Sequence, residues 1–357
     1  MLNLGHRASV CGGVTSHTAT ASAGFTPTGR ATATGTATAY WLREPGRGEL
    51  RAERLSPPGP DEVLVRTLRS GVSRGTELLV HRGGVPVDQR AAMRAPFQVG
   101  EFPGPVKYGY LSVGVVEEGP TALRGRTVFC LHPHQTAYVV PASAVTVVPD
   151  DVPHRRAVLA GTVETAINAL WDLAPLVGDR VAVVGAGMVG CAVARLLAQV
   201  PGVEVTLVDV DPDRATVAIA LGARFAVPGE APRACDSVVH TSGTGSGLRL
   251  ALGLLAPEGE VLELSWYGDE LVQLPLGGVF HSGRLAVRAS QVGRIPSGRR
   301  RSTSDRMALA LRLLADPAYD ALLTGESDFA DLPAVIAALA SGELPALCHT
   351  IRYAEEA

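Results

Sequence analysis

The chain has 357 residues, of which 46% are hydrophobic, and it carries a formal net charge of −3 at pH 7. This length is sufficient for two domains with a large core, and the balanced charge gives no basic excess that would suggest nucleic-acid binding. No apolar run reaches the roughly 18 residues of a membrane-spanning helix, so we expect neither a nucleic acid nor a membrane as a partner.

The five cysteines are widely spaced and form no C-x-x-C pair; they are Cys11, Cys130, Cys191, Cys235 and Cys348. Such cysteines are typical of small buried hydrophobic residues in a reducing compartment. We therefore expect a cytoplasmic protein without a disulfide framework.

Residues 1–36 consist mainly of Thr, Ala, Gly and Ser and contain few large apolar side chains. Such a segment cannot bury enough surface to offset the entropy that is lost on ordering, so we predict that it is disordered. It also lacks the continuous apolar region of a secretory signal peptide.

Residues 37–162 contain short segments with strand periodicity and turn signals between them. A strand pair is predicted around Pro45-Gly46, and further strands are predicted over 62–68, 106–118 (with a glycine bend), 127–131 and 137–140. Residues 70–84 are predicted to form a loop that leads into a short helix. This pattern is typical of a small β-barrel-like domain, and a helix over 155–170 leads into the next region.

The stretch 181–214 begins with an apolar, β-branched run at 181–184 that is typical of a buried parallel strand. A G-x-G-x-x-G motif follows, and then a predicted helix over 188–200 and a strand over 204–208. In such a motif the first glycine permits the turn, the second allows close approach of a pyrophosphate, and the third lets the helix pack on the sheet. The residues predicted to bind the pyrophosphate at the helix start are Gly185, Gly187, Met188, Val189 and Gly190.

Asp209 ends the second of these strands, 19 residues after Gly190. A carboxylate at this position is expected to accept hydrogen bonds from ribose hydroxyls and to repel a 2′-phosphate. We therefore predict NAD rather than NADP as the cofactor. The alternative is a Rossmann-like turn that binds no nucleotide.

The alternation of strands and helices continues after Asp209 and predicts a parallel sheet with right-handed crossovers. Helices are predicted over 213–221, 248–255, 305–314 and 332–340, and strands over 237–240, 260–264, 285–290 and 347–353. Residues 293–306 are interpreted as a solvated basic loop, with an anion or partner contact as the alternative. Its arginines are Arg294, Arg299, Arg300, Arg301 and Arg306.

The order of these regions resembles the medium-chain dehydrogenase/reductase superfamily of zinc-type alcohol dehydrogenases. The resemblance covers about residues 37–357 and implies an α/β protein with a GroES-like β-barrel catalytic domain and a Rossmann doubly wound parallel sheet. It implies a GroES-like domain over 37–162, a Rossmann NAD-binding domain over 163–292 and a C-terminal return over 293–357. The stretch SGVSRGTE resembles the branch that contains bacteriochlorophyllide a dehydrogenase, which oxidises a secondary alcohol.

The zinc ligands of the superfamily have no counterparts here. Zinc alcohol dehydrogenases carry a cysteine where this chain has Ser73, a Gly-His-Glu motif where it has Gly109-Tyr110-Leu111, and a third ligand near Gly161. None of these positions supplies a thiolate, an imidazole or a carboxylate, and the four-cysteine structural zinc lobe is missing as well. We therefore predict a member without a metal site.

Without zinc, another group must polarise a carbonyl or accept an alcohol proton. By the resemblance, Tyr110 takes the place of the lost histidine and would donate to the substrate oxygen, with core packing as the alternative. Lys107, the only lysine of the chain, is a second candidate, with a surface position as the alternative. Strand geometry places the adjacent Tyr108 on the opposite face.

Glu77 and His134 are the remaining acid–base candidates. Glu77 would orient the site or act as a base, or it would stabilise a helix start through the helix dipole. His134 would donate or relay a proton, or it is an ordinary loop histidine. His132 and His134 would share one face of a strand-like segment, but no third metal ligand is near them in sequence.

The resemblance places further residues at the cofactor. Thr165 matches a position near the nicotinamide and Arg74 one that binds the pyrophosphate, which suits its charge. The loops at the carboxyl ends of the Rossmann strands would surround the nicotinamide. The contacts predicted in these loops are Thr241, Ser265, Ser290 and Val292.

Together these features predict an NAD(H)-dependent oxidoreductase that moves a hydride between nicotinamide and a secondary alcohol or carbonyl carbon of a small-molecule substrate, without catalytic zinc. Two alternatives are left open: an NAD(P)H-dependent enone or quinone reductase, and a nucleotide-sensing protein without turnover. The resemblance also implies a homodimer that assembles through edge strands.

Overall fold

The computed structural model describes residues 35–354. Of the segment predicted to be disordered, residues 1–34 lie outside this range, and the first strand begins at Gly35, two residues before the predicted start of order. The strands, in chain order, are β1 Gly35–Glu44, β2 Arg47–Leu55, β3 Glu62–Ser73, β4 Val99–Gly100, β5 Val106–Lys107, β6 Ser112–Glu118, β7 Thr127–Cys130, β8 Ala137–Pro141, β9 Val145–Val147, β10 Arg180–Val184, β11 Glu204–Val208, β12 Arg224–Ala226, β13 Cys235–His240, β14 Leu255–Glu263, β15 Ala286–Ala289, β16 Leu323–Asp328 and β17 Cys348–Arg352.

The helices connect and cover these strands. They are α1 Arg74–His81, α2 His154–Ala157, α3 Ala160–Leu173, α4 Met188–Leu197, α5 Arg214–Ala220, α6 Gly245–Leu254, α7 Thr303–Leu313 and α8 Leu332–Ser341. None of the described helices is both long and apolar enough to span a membrane.

Two sheets form the barrel-like half, which the sequence predicts from its short, turn-separated strands. One sheet has the order β2-β1-β5-β4, and the other has the order β16-β17-β3-β6-β7-β9 with β8 paired to β3. The C-terminal strand β17 returns to this half and pairs antiparallel with β3. The GroES-like part of the predicted fold is therefore confirmed.

The third sheet is the Rossmann sheet, with the strand order β12-β11-β10-β13-β14-β15. All its pairings are parallel. The order reverses between β10 and β13, and the carboxyl ends of strands at such a reversal form the crevice in which doubly wound sheets bind ligands.

One hydrophobic cluster joins the barrel half to the Rossmann half. It contains Phe129 from β7, Val163 from α3, Val183 from β10, Met188 from α4 and Leu311 from α7. Burying each such side chain stabilises the fold by about 1.5–3 kcal/mol, so α3 is held firmly between the two halves.

Three local predictions are corrected by the structure. Residues 70–73 are not loop but continue β3, because Gly71 and Val72 pair with β17. The predicted strand over 106–118 is split between two sheets, since Gly109 turns the chain with φ of +125°. The predicted helix over 155–170 is two helices, α2 and α3.

Candidate active site

The glycine motif forms a tight turn between β10 and α4. Gly185 has φ of +109°, and a Cβ there would lie 2.7 Å from the backbone nitrogen of Ser242. A Cβ at Gly190 would lie 2.0 Å from the carbonyl oxygen of Gly185, so α4 packs against the turn only with glycine at this position. Both glycines therefore have the roles expected from the sequence.

The space beside Gly187 is open, since a Cβ built there meets no other atom within 4 Å. Gly187 is the N-cap of α4 and no side chain caps this helix. The free N–H groups and the helix dipole therefore face an open cradle, which fits the pyrophosphate of a dinucleotide.

Asp209 lies beside this cradle. Its carboxylate accepts hydrogen bonds from the backbone N–H groups of Ala186 (2.6 Å) and Asp211 (2.9 Å). The aspartate thus holds the glycine loop and is placed at the end of β11, where a ribose would lie in a doubly wound sheet. Arg214 forms an ion pair with the neighbouring Asp211, at 3.2 Å.

The predicted cofactor residues at the ends of the other strands are also near this crevice. The Thr241 hydroxyl donates to the carbonyl oxygen of Gly185 at 2.8 Å and so ties β13 to the glycine loop. The Ser265 hydroxyl accepts a hydrogen bond from the backbone N–H of Gly243. The Ser290 hydroxyl donates to Asp172 on α3 at 2.6 Å.

Arg306 contradicts its interpretation as a residue of a solvated loop, because it is 2% exposed and lies in α7. Its guanidinium pairs with Glu164 and donates to the side chain of Asn168 and to the carbonyl oxygen of Val292 at 2.6 Å. Burial raises the pKa of Glu164, and the charge of Arg306 opposes that rise. Arg306 therefore fixes the loop that contains Val292, which the sequence analysis missed.

A hydrogen-bonded group at the ends of β13 and β14 was also missed. His240 is buried; its Nδ1 lies 2.7 Å from the Glu263 carboxylate and its Nε2 lies 2.7 Å from the Ser242 hydroxyl. We call Glu263, His240 and Ser242 the sheet network. The signal that could have found it is the presence of polar residues at the ends of consecutive strands, since His240 and Glu263 are neighbours in the parallel register.

The barrel half contains a second group of this kind, which brings two of the predicted catalytic residues together. Glu77 accepts hydrogen bonds from the Ser73 backbone N–H (2.8 Å) and from His134 Nε2 (2.8 Å). His134 Nδ1 is 2.7 Å from the Ser70 hydroxyl, which is 3.0 Å from the Tyr353 hydroxyl. We call Glu77, His134, Ser70 and Tyr353 the barrel network; all four are buried.

Tyr110 lies next to the barrel network. Burial raises its pKa to about 12 and the charge of Glu77 adds to this, while hydrogen bonds with the Ser73 and Thr76 hydroxyls oppose it. Tyr110 also packs against the hydrophobic cluster that joins the two halves. Its phenol is therefore protonated at neutral pH and can donate a hydrogen bond.

Lys107 and His132 are placed apart from Tyr110. Lys107 is buried rather than at the surface, and its ammonium group donates to Glu53 (2.7 Å) and Gln135 (2.9 Å). His132 stacks on Tyr138 with ring centroids 3.7 Å apart. The histidines at 132 and 134 thus belong to separate groups of side chains.

Arg74 and Thr165 are the last of the predicted site residues. Arg74 donates to the carbonyl oxygen of Ala346, while its buried Nε has no hydrogen-bond partner among the described residues. Burial and the charges of Arg214 and Arg82 lower the pKa of Arg74. The Thr165 hydroxyl donates to the carbonyl oxygen of Gly161 within α3.

The residues at the zinc positions do not fit a zinc ion. Ser73 and Tyr110 offer hydroxyl groups instead of the thiolate and imidazole that zinc prefers. A Cβ at Gly161 would lie 2.7 Å from Leu111 Cδ2, with Leu131 and Phe129 close behind, so the third position is enclosed by apolar side chains. Within residues 35–354, no three His, Cys, Asp or Glu side chains are grouped in a way that could hold a metal ion.

Comparison with known proteins supports this description of the fold. Residues 180–226 match the family described as 3-hydroxyacyl-CoA dehydrogenase, NAD binding domain. L-idonate 5-dehydrogenase from Escherichia coli superimposes with a TM-score of 0.74 at 16% identity, covering 89% of this chain and 98% of that one.

Two further solved structures contain a cofactor. A short chain alcohol dehydrogenase from Escherichia coli, complexed with NADH, has a TM-score of 0.70 and 17% identity over 89% of this chain and 99% of its own. A protein from Sinorhizobium meliloti with NADP bound has a TM-score of 0.70 and 18% identity over 89% and 99%. At these identities the likeness establishes the fold, a GroES-like barrel joined to a Rossmann domain.

Proposed function

We propose that this protein is an NAD(H)-dependent oxidoreductase that transfers a hydride between nicotinamide and a secondary alcohol or carbonyl carbon, without a catalytic zinc. The observation that carries the proposal is the open glycine cradle, with Asp209 bonded to its loop at the ends of the Rossmann strands. When bound there, the nicotinamide would supply or accept the hydride. The dehydrogenases that share the fold, named above, make this chemistry the natural expectation.

The residues around the proposed site of the adenosine ribose favour NAD over NADP as the cofactor. The carboxylate of Asp209 stands at the end of β11 and would repel a 2′-phosphate. Arg214, the nearest cation along the chain, is engaged by Asp211 rather than free to pair with such a phosphate. We expect Asp209→Ala to weaken NADH binding and to reduce discrimination against NADPH, measured by titration of cofactor fluorescence. Unchanged affinity and selectivity would contradict the placement of the ribose.

Tyr110 is proposed as the residue that contacts the substrate oxygen. Its protonated phenol would donate to a carbonyl oxygen and stabilise the charge that develops there during reduction. Glu77 and His134 are proposed as positioning residues, because Glu77 holds the Ser73 backbone and its charge raises the pKa of the Tyr110 phenol. Lys107 and Thr165 have no hydrogen bond to this group within residues 35–354.

The experiment that tests the activity uses metal-stripped protein. Absorbance of the reduced cofactor is followed with secondary alcohols, ketones, enones and quinones, and Tyr110→Phe is compared with Tyr108→Phe as a matched buried tyrosine. We expect metal-free turnover of an alcohol or ketone, a loss of about 100-fold in kcat for Tyr110→Phe, and little change for Tyr108→Phe. Activity that returns only with Zn²⁺, or oxidation of NADH by quinones and enones alone, would overturn the proposal.

A homodimer is proposed through β15, which is the edge strand of the Rossmann sheet. All four of its residues are exposed, and the exposed apolar side chains of Leu271 and Val279 lie in the segment that precedes it. An unpaired edge of this kind is a template for pairing with a second copy. We expect Val287→Lys to shift the mass measured by light scattering from dimer to monomer.

The four free, buried cysteines of the described range also favour the proposed cytoplasmic location.

A further inference from the structure

The sheet network has a defined direction of hydrogen bonding. An ionised carboxylate only accepts hydrogen bonds, so the Glu263 side chain requires the proton of His240 to be on Nδ1. A neutral imidazole with its proton on Nδ1 has an acceptor at Nε2. The Ser242 hydroxyl, 2.7 Å away, must then donate its own proton to Nε2. The Thr244 hydroxyl, 3.0 Å from Ser242 Oγ, then donates to one lone pair of this oxygen, and the lone pair that remains can only accept.

Several contacts keep this direction fixed. Burial alone would raise the pKa of Glu263, but hydrogen bonds from His240 and from the Ser265 backbone outweigh burial and hold that pKa below its usual value. The Tyr267 hydroxyl also donates to the carboxylate, at 3.0 Å. A Cβ at Gly247 would lie 2.1 Å from Ser242 Oγ, so glycine is needed there for the serine to reach His240.

The position of Ser242 connects the network to the cofactor crevice. Its backbone packs against Gly185 of the glycine loop, and the residue as a whole is partly exposed. Asp209 lies at the end of β11, on one side of β10, whereas Ser242 follows β13, on the other side. A dinucleotide that lies across the strand ends with its adenosine at Asp209 has its second ribose on the side of Ser242.

We propose that Glu263 and His240 set Ser242 as a hydrogen-bond acceptor for a hydroxyl group of the cofactor ribose on the nicotinamide side. The inference rests on the proposed function, because it assumes that a nicotinamide dinucleotide occupies the crevice. The proposal further implies that Ser242 selects a hydrogen-bond donor. A sugar hydroxyl can bind there, and a group that only accepts hydrogen bonds is disfavoured. Ser242 contacts the ligand, whereas His240 and Glu263 are positioning residues.

Three ligands separate the two halves of the crevice. ADP contains only the adenosine ribose, ADP-ribose adds the second ribose, and NADH adds the nicotinamide. Their affinities are measured by calorimetry for the wild type, Ser242→Ala, Asp209→Ala and a matched control, Ser246→Ala. Ser246 is an exposed serine in the first turn of α6, and its hydroxyl donates to Thr244 rather than to His240.

We expect Ser242→Ala to weaken ADP-ribose and NADH by about three- to tenfold, the value of one hydrogen bond, and to leave ADP unchanged. Asp209→Ala should weaken all three ligands, and Ser246→Ala none. An equal loss for ADP and ADP-ribose in Ser242→Ala, or no loss at all, would overturn the proposal while the dinucleotide site stands. Absence of binding of all three ligands to the wild type would overturn the proposed function itself.

The tautomer of His240 provides a readout that a merely structural role would not change. In ¹⁵N NMR spectra of the intact protein, with His240→Gln used for assignment, we expect the His240 proton on Nδ1 and none on Nε2. Glu263→Gln introduces an amide that can donate to Nδ1, so the proton should move to Nε2 and the affinity for ADP-ribose should fall while that for ADP is kept. A proton on Nε2 in the wild type would contradict the direction of the network.

Discussion

Two networks in this molecule share one composition, since each joins a glutamate, a histidine and a serine. They are Glu77, His134 and Ser70 in the barrel half and Glu263, His240 and Ser242 in the Rossmann half. The barrel network continues to a buried tyrosine hydroxyl, so every member is enclosed. The sheet network reaches a partly exposed serine beside the glycine loop, whose hydroxyl also contacts that of the exposed Thr244.

The difference shows how burial decides what the same chemistry can do. In both networks the carboxylate fixes the histidine tautomer, and the histidine fixes the direction of the serine hydroxyl. Enclosed on all sides, the barrel network holds backbone and side chains in one arrangement. Partly open to solvent at Ser242, the sheet network is the one proposed to offer a lone pair to a ligand. The next four predictions test this contrast, from the largest expected effect to the smallest.

Removal of the barrel carboxylate should have the largest effect on stability. Glu77→Ala leaves His134 Nε2 and the Ser73 N–H without an acceptor in a site that excludes water. We expect the free energy of unfolding to fall by about 3–5 kcal/mol in urea denaturation, and Glu77→Gln to recover part of it. A loss below about 1 kcal/mol would show that water or another group replaces the carboxylate.

A buried histidine without a carboxylate partner should respond most strongly to acid. Burial lowers the pKa of His132 to about 3, and within residues 35–354 its ring hydrogen-bonds only the Pro133 carbonyl oxygen. The pKa of His132 in the folded protein is therefore lower than the ordinary value of 6.5. The contribution of neutral His132 to stability is complete above pH 6.5 and is lost as the pH falls toward 3. Between pH 7 and pH 4 the wild type should lose on the order of 3 kcal/mol more than His132→Gln. Parallel urea titrations of both proteins at the two pH values check this, and equal losses would contradict it.

Removal of the Glu263 carboxylate from the sheet network should lower the free energy of unfolding by less than removal of Glu77 from the barrel network. The Glu263 side chain is 11% exposed and that of Glu77 is 4% exposed, so water can reach part of the site. We expect Glu263→Ala to lower the free energy of unfolding by about 1–2 kcal/mol, measured under the conditions used for Glu77→Ala. A cost equal to that of Glu77→Ala would remove the distinction between the two networks.

The two serines provide the smallest and most closely matched comparison. Ser70→Ala removes a buried hydroxyl that bonds both His134 and Tyr353, and should lower the free energy of unfolding by about 1–1.5 kcal/mol. Ser242→Ala removes a partly exposed hydroxyl and should cost less than about 1 kcal/mol, with its main effect on ligand affinity. Thermal unfolding of the two variants side by side measures the difference. A larger stability loss for Ser242→Ala would reverse the assignment of roles.

Much of the cofactor crevice could be predicted from the sequence because its signals are local. The apolar strand, the three glycines, the helix start and Asp209 occur within 30 residues, and each has a distinct steric or electrostatic requirement. The expected turn at Gly185 and the packing of α4 on Gly190 are both confirmed. The catalytic assignments, including Tyr110, remain predictions.

Some secondary structure could not be predicted, because pairing rather than composition decides it. Strand β16 has the polar sequence LTGESD and becomes a strand through parallel pairing with β17. Residues 70–73 contain glycine and serine, which favour a loop locally, yet pairing with β17 extends β3 through them. Local propensity was overridden by backbone hydrogen bonds between distant segments.

What the sequence by itself determined is the Rossmann motif, the class of fold and the lack of zinc-ligand residue types at the expected positions. Only the tertiary structure decided which polar residues meet: Glu77 lies 57 residues from His134, and Arg306 lies 142 residues from Glu164. The physical reason is that a charged or polar side chain is acceptable in the interior only when a partner is present, and the partner is supplied by packing of distant elements. An arginine in a basic run therefore gave no local sign that it would be buried against the loop that contains Val292.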